Sequence, residues 1–249
     1  MRKLVSIGLL SFLLIIANSV WAAPLVPTSG NDGVPDLYDA INLLLGTSYT
    51  GNDQIADRQT NYDQVWVNSS DHIDEPWAVI GLTAGYTNTF GVYGDVGIGA
   101  DRHALWTGTG FGFTGDGSVS NPFDGGVSTY IGEGEDFGFY IDSDQNNLFY
   151  SESSLNPGNF DYMTTYALPE LYGERIYTDD GRYFIVRSEY SYLLGFEDIL
   201  GGGDMDFDDV MVLVTKVHPA PVPEPATMML LGSGLIGIAV TSRKKFFKK

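Results

Sequence analysis

Six carboxylates, Glu197, Asp198, Asp204, Asp206, Asp208 and Asp209, fall within 13 residues, and the chain then runs straight into Val210-Met211-Val212-Leu213-Val214. In an extended segment Val210, Val212 and Val214 point one way and Met211 and Leu213 the other, so this is a strand with apolar side chains on both faces. Such a strand is central in its sheet, which builds this end of the domain into the core and holds the acids beside it. Unpaired like charges at this density raise one another's pKa values and cost folding energy unless a cation or a donor-rich backbone compensates. Gly201-Gly202-Gly203, inside the run, let the backbone fold tightly enough to turn alternate acids toward one centre.

Calcium suits such a cluster because it accepts about six to eight oxygen ligands in a flexible shell, whereas magnesium demands a tighter octahedron and keeps its waters. Zinc would want cysteine, which the chain lacks, or histidine, which is absent from this stretch. The expected ligands are Asp204, Asp206 and Asp208 at alternate positions, with Glu197, Asp198 or Asp209 completing the shell. The same residues also read as a solvated acidic loop or as a catalytic group. Asp142-Ser143-Asp144 is a weaker metal candidate by the same logic, because Asp and Ser are also plain turn formers.

The rest of the chain reads as mainly β. Val65–Val67, Trp77–Leu82, Thr89–Tyr93 and Leu105–Gly108 are short apolar or aromatic runs separated by Gly, Asn, Asp and Thr, the texture of an antiparallel domain with many loops. Phe137, Phe139 and Ile141 alternate with Asp136, Gly138, Tyr140 and Asp142, which predicts a strand with one face in the core. Tyr183, Ile185 and Arg187 alternate with Phe184 and Val186 after a turn at Asp179-Asp180-Gly181. One short helix is predicted over 35–45, with Pro35 near its first position, Leu37, Ile41, Leu44 and Leu45 on one face and Gly46 at its end. The expected fold is an antiparallel β-sandwich of jelly-roll type with that single helix. The sequence leaves open whether residues 47–130 form a separate lobe.

The two ends are organised differently from this middle. Arg2 and Lys3 precede an apolar stretch from Leu4 to Ala17, and Val20 and Ala22 fit the small-residue positions of a signal peptide cleaved after residue 22; an uncleaved anchor is the alternative. At the other end a Pro-rich spacer over 217–225 leads into a glycine-thinned apolar segment and a basic tail, 226–249. The apolar part, about 15 to 17 residues, is short for a ~30 Å hydrocarbon core, which predicts a weak or temporary anchor. Basic residues flank both apolar segments on the sides that start in the cytoplasm, so everything between them is expected to be exported.

Setting aside Arg2, Lys3, the five tail bases and Glu224 leaves six bases against 31 acids in the exported part. That surface repels nucleic acid and anionic lipid and attracts metal cations. With no cysteine available for disulfides, an exported chain of this size is held by its core or by bound metal.

Several of these segments resemble known families. Phe196-Glu197-Asp198 followed by Gly202-Gly203-Asp204-Met205-Asp206-Phe207-Asp208-Asp209-Val210, with Ser154-Leu155-Asn156-Pro157-Gly158 and Phe160-Asp161 upstream, resembles the bacterial domain of unknown function 4114 over 130–216, leaving 23–129 as an N-terminal β-rich region. That resemblance implies an extracellular β domain with a calcium site and no established activity. Pro223, Glu224, Pro225 and Ala226, with the apolar segment and terminal bases, resemble the PEP-CTERM sorting signal. It implies a Gram-negative host, signal peptidase at one end, an exosortase-type membrane protease at the other, and release to a cell surface or matrix rich in exopolysaccharide and biofilm. Asp32-Gly33 with Asp36 and Asp39 resembles the second half of an EF-hand or dockerin calcium loop, although Thr28 and Gly30 stand where earlier ligands would be; capping of the helix by Asp32 and Asp36 is the other reading.

An enzyme finds little support in the sequence. His72, His103 and His218 are the histidines, there is no cysteine nucleophile and no Gly-x-Ser-x-Gly elbow, and nothing selects a carboxylate pair for glycoside hydrolysis. A carbohydrate-binding module is the stronger rival, because the chain carries 15 Tyr and four Trp, including Trp66, Trp77 and Trp106. Such rings stack on sugars when exposed and coplanar, and fill β cores when buried.

Overall fold

The structure is a computed structural model in which residues 27, 34–60, 63–69, 77–110, 112–113, 120–123, 130–145, 147–177 and 183–221 are described. The expected signal peptide, Asp32, His72 and the sorting segment with Pro223, Glu224, Pro225 and Ala226 lie outside these residues.

Helix α1 (Leu37–Leu45) buries Leu37, Ala40 and Ile41, the i, i+3, i+4 stripe of one face. Asp36, not Pro35, sets its start: Asp36 has extended backbone angles, and its N–H is accepted by Asp39 Oδ2 at 3.2 Å in a capping box. Pro35 therefore sits just outside the helix. Gly46, at φ 66°, closes the other end with its N–H on the Asn42 carbonyl at 2.8 Å.

The strands are β1 (Trp66–Asn68), β2 (Trp77–Leu82), β3 (Asn88–Asp95), β4 (Ala100–Gly108), β5 (Gly112–Phe113), β6 (Ser120–Phe123) and β7 (Asp136–Ser143) in the first half. β8 (Asn147–Tyr150), β9 (Met163–Ala167), β10 (Arg175–Tyr177), β11 (Tyr183–Ile185), β12 (Ser191–Phe196), β13 (Val210–Thr215) and β14 (Val217–Pro219) follow. One sheet has the order β14-β1-β7-β3-β4 with β8 on β7, and another the order β5-β2-β13-β12-β9 with β6 on β2. β10 and β11 form a separate hairpin. The fold is mainly β, with antiparallel sheets and few short helices among the described residues.

β13 occupies the middle of its sheet, as its pattern predicts. Val210, Val212 and Val214 join a buried cluster with Trp66, Trp77, Phe90, Phe139 and Phe196, which come from both large sheets. Met211 and Leu213 join a second cluster with Leu37 and Ile41 of α1, Ile80 and Leu193. Each such buried Val or Leu contributes about 1.5–3 kcal/mol. Residues 47–130 do not stand apart in the hydrogen bonding: β2 pairs with β13 through Val210↔Leu82, and β3 pairs with β7 through Phe90↔Ile141.

β7 departs from the expected pattern of one buried face. Phe137, Phe139 and Ile141 enter the core, but Gly138 and Tyr140 are buried too. The Tyr93 ring lies over Gly138 and the Tyr140 ring over Gly91, so glycines facing tyrosines across the ladder close the outer face. Among the described residues no helix is long and apolar enough to cross a membrane.

Candidate metal centre

The β12–β13 connection carries all six acids, and the ends of several strands meet it. β13 begins at Val210 opposite Leu82, the last residue of β2, while Phe196 closes β12 opposite Met163, the first of β9. From the other sheet, Asn88 at the start of β3 donates its Nδ2 to Asp198 Oδ2 at 2.7 Å.

Tyr162, just before β9, pins the loop from two directions. Its carbonyl accepts the Glu197 N–H at 3.0 Å, and its hydroxyl accepts the Gly201 N–H at 2.8 Å. Two glycines make the tight path possible. Gly202 has φ 85° with the Phe160 ring 2.4 Å from where a Cβ would stand, and Gly203 has φ 43° with Glu197 Oε1 at 2.1 Å from that point. Only a residue without a Cβ fits either place.

Gly203, Met205 and Phe207 hold left-handed backbone, with φ 65° at Met205 and 61° at Phe207, and they alternate with Asp204, Asp206 and Asp208. Such angles cost roughly 1–2 kcal/mol per non-glycine residue. Burial of Phe207 against α1 and β13 side chains anchors the strained turn.

This path assembles Glu197, Asp204 and Asp206, each offering a carboxylate oxygen within 4.8 Å of the others. Glu197 is wholly buried with neither oxygen in a well-formed hydrogen bond, and the Asp209 carboxyl beside it offsets the burial only in part. Burial first, then the charges of Asp206 and Asp204, push it up to about 8. This group holds two of the alternate acids, Asp204 and Asp206, with Glu197 from those expected to complete the shell. A group of this composition could coordinate a metal ion.

The other three acids brace the loop. Asp208 accepts the Thr83 hydroxyl, and its second oxygen is buried without a partner. Burial pushes Asp208 up to about 8, with the charge of Asp206 adding to it. Asp209 Oδ2 accepts the Asp198 N–H at 2.8 Å, and burial with the charges of Asp198 and Glu197 carries it to about 9. Asp198 is raised by burial and lowered by the Asn88 amide.

The weaker candidates divide. Asp36 and Asp39 serve the helix start, although the Asp36 charge still acts on Asp208. Asp142 and Asp144 are exposed, and the Asp144 charge acts on Asp198. Sequence reasoning passed over Thr83 and Asn88, which lie 125 and 110 residues from the acids they meet. A signal for Asn88 does exist, because it occupies the core phase of Asn88-Phe90-Val92 as a polar residue.

The aromatic and histidine candidates sit elsewhere. Trp66 and Trp77 are buried, and Trp106 is partly buried against the same core. His103 stacks on Tyr130 at 4.2 Å and meets Asp101 at 3.2 Å, while His218 lies beside Tyr190 at 5.3 Å.

Residues 128–216 match the family described as domain of unknown function (DUF4114), and residues 221–244 match the PEP-CTERM protein-sorting motif. A sorting motif and a DUF4114 domain are both present. Neither a curated protein nor a solved structure matches the chain. The DUF4114 segment contains β7 through β13 and the whole acid loop, whereas Thr83 and Asn88 lie before it.

Proposed function

We propose that this is an exported, non-enzymatic protein of the cell surface or extracellular matrix, with a β domain stabilised by calcium at Glu197, Asp204 and Asp206. The observation that carries the reading is the Glu197 carboxylate, buried with neither oxygen in a well-formed hydrogen bond and grouped with Asp204 and Asp206 within 4.8 Å. An isolated buried carboxylate is costly, and a cation beside it offsets that cost. Calcium–oxygen distances of about 2.3–2.6 Å give a shell roughly 5 Å across, which holds three oxygens within 4.8 Å of one another, and calcium's flexible carboxylate-rich shell suits the group better than magnesium, which keeps its waters.

The sorting motif supports export, retention by a transient C-terminal membrane helix and processing by an exosortase-type protease, with signal peptidase acting at the N-terminus. Two large antiparallel sheets sharing one buried cluster support the jelly-roll-like sandwich. Association with exopolysaccharide or biofilm follows from the sorting system and not from a site in this domain. As a carbohydrate-binding module the chain has lost Trp66 and Trp77 to its core. Its exposed Tyr177 and Tyr183 are inclined at 53°, with Arg175 over the Tyr183 ring, so they offer no coplanar platform.

The test is thermal melting of the full-length chain in mild detergent, with calcium and with excess chelator. Calcium should raise the midpoint by about 5–10 °C, the size expected when a ligand binds only the folded state well above its Kd. Asp204→Asn with Asp206→Asn should remove most of that rise. Equal midpoints for the unaltered chain would refute the calcium reading.

A further inference from the structure

The core-facing stripe of the β3–β7 ladder ends in oxygen. Asn88, Phe90 and Val92 share one face of β3, and Phe139, Ile141 and Ser143 share the facing side of β7. Phe90, Val92, Phe139 and Ile141 lie in the common core, while Asn88 and Ser143, direct partners across the ladder, extend the same stripe to its end. Both are buried, Asn88 at 0% and Ser143 at 2% exposure, and Asn88 Oδ1 and Ser143 Oγ have no hydrogen-bond partner.

The opposing sheet supplies a carboxylate to the same place. Asp198, two residues beyond the end of β12, accepts the Asn88 Nδ2 on one oxygen at 2.7 Å, and its other oxygen is buried and unpartnered. Because the carboxylate can accept only from the amide nitrogen, this bond fixes the Asn88 flip and commits Oδ1 to acceptance. Asp144, next to Ser143 and tied to Thr87 through its N–H at 3.0 Å, adds a further negative charge that acts on Asp198.

We infer that Asn88 Oδ1, Ser143 Oγ, Asp198 and Asp144 form a second site for a hard divalent cation, calcium in the exported setting, beside the one at Glu197, Asp204 and Asp206. The donor set is carbonyl, hydroxyl and carboxylate oxygen, the chemistry of calcium and not of zinc or copper. Asn88 Oδ1 and the free Asp198 oxygen are acceptors that cannot satisfy one another, the Ser143 hydroxyl offers a single proton between them, and a cation can bind all three oxygens. The cation would also tie the two sheets together where their ends meet, with Asn88 and Ser143 contributed by one and Asp198 by the loop of the other.

The site is distinct from the first in its ligands, so the two can fail separately. Calorimetric titration of the chelator-treated full-length chain with calcium should give two ions per chain. Asp144→Asn with Ser143→Ala should weaken one of them by about tenfold or more, the scale of losing a ligand from such a site. The Asp204→Asn, Asp206→Asn chain should lose the other and keep this one.

One ion that disappears only with Asp204 and Asp206 would overturn the second site and leave the first. One ion that disappears only with Asp144 and Ser143 would do the reverse. No binding, or one ion lost in both variants, would overturn the two-site arrangement. Asn88→Asp guards against a purely structural effect: an added carboxylate should tighten the second ion and lower the melting point in chelator. A fall in melting point equal with and without calcium would count against the site.

Discussion

At the start of α1, Asp39 accepts the Asp36 N–H and the two acids close a capping box around donors that the helix leaves free. In the loop before β13, Glu197 has exchanged water for burial without a well-formed hydrogen bond and the company of Asp204 and Asp206. Both groups read as calcium ligands in the sequence, and both are acids beside glycine and near an apolar segment. What separates them is the supply of donors. A helix N-terminus provides N–H groups and a favourable dipole; the 197–209 loop spends its N–H groups on Tyr162 and on Asp209 and leaves Glu197 facing other carboxylates. Acids at a cap are compensated by backbone donors, whereas the loop acids are grouped so that a metal ion could compensate them.

The largest effect that could break this contrast comes from Glu197→Gln. In calcium the variant loses a ligand, so most of the ~5–10 °C rise over chelator should vanish. In chelator at about pH 9, above the value of about 8 to which Glu197 is pushed, the neutral amide removes a buried charge and the variant should melt higher than the unaltered chain. A variant that melts lower in both conditions would mean that Glu197 packs the loop without serving a cation.

The next effect is a pH dependence with a definite sign. Glu197, Asp208 and Asp209 reach about 8, 8 and 9 in the fold from ordinary values near 4, so the folded state holds their protons more tightly than the unfolded one. Stability from this source is complete below about pH 4 and is lost as pH rises through about 8–9. Asp161, raised to about 6 chiefly by burial, adds a loss between about pH 4 and 6. In chelator the midpoint should therefore fall as pH rises from about 5 to about 9. Calcium should flatten the upper part of that fall by holding the loop acids ionised, and leave the lower part, which belongs to Asp161. Melts across pH with and without calcium check both limbs; parallel curves would show that the loop acids do not meet the ion.

Where the sequence was legible, one strand carried the signal within itself. β13 shows both faces apolar over five residues, and its central place follows from that pattern alone. The acid loop was legible for the same reason, since its charge and glycines are contiguous. Less legible was anything made by two distant segments meeting. Asp208 is met by Thr83, one residue beyond the end of β2, and no local pattern in 197–209 announces that neighbour. Trp66 and Trp77 present the same aromatic faces whether exposed or buried, and only the pairing of β1 and β2 into their sheets places them in the core.

The smallest effect sharpens the contrast from the capping side. Asp39→Ala removes the acceptor of the Asp36 N–H, which costs about 1 kcal/mol for a lost cap and about 2–4 °C in a domain of this size. Because the partner is a backbone donor and not an ion, the drop should be the same in calcium and in chelator. The charge of Asp36 already acts on Asp208, so this end of α1 lies within electrostatic reach of the loop. A drop that appears only with calcium present would draw the helix start into the metal centre, and donor supply would no longer be what separates the two groups.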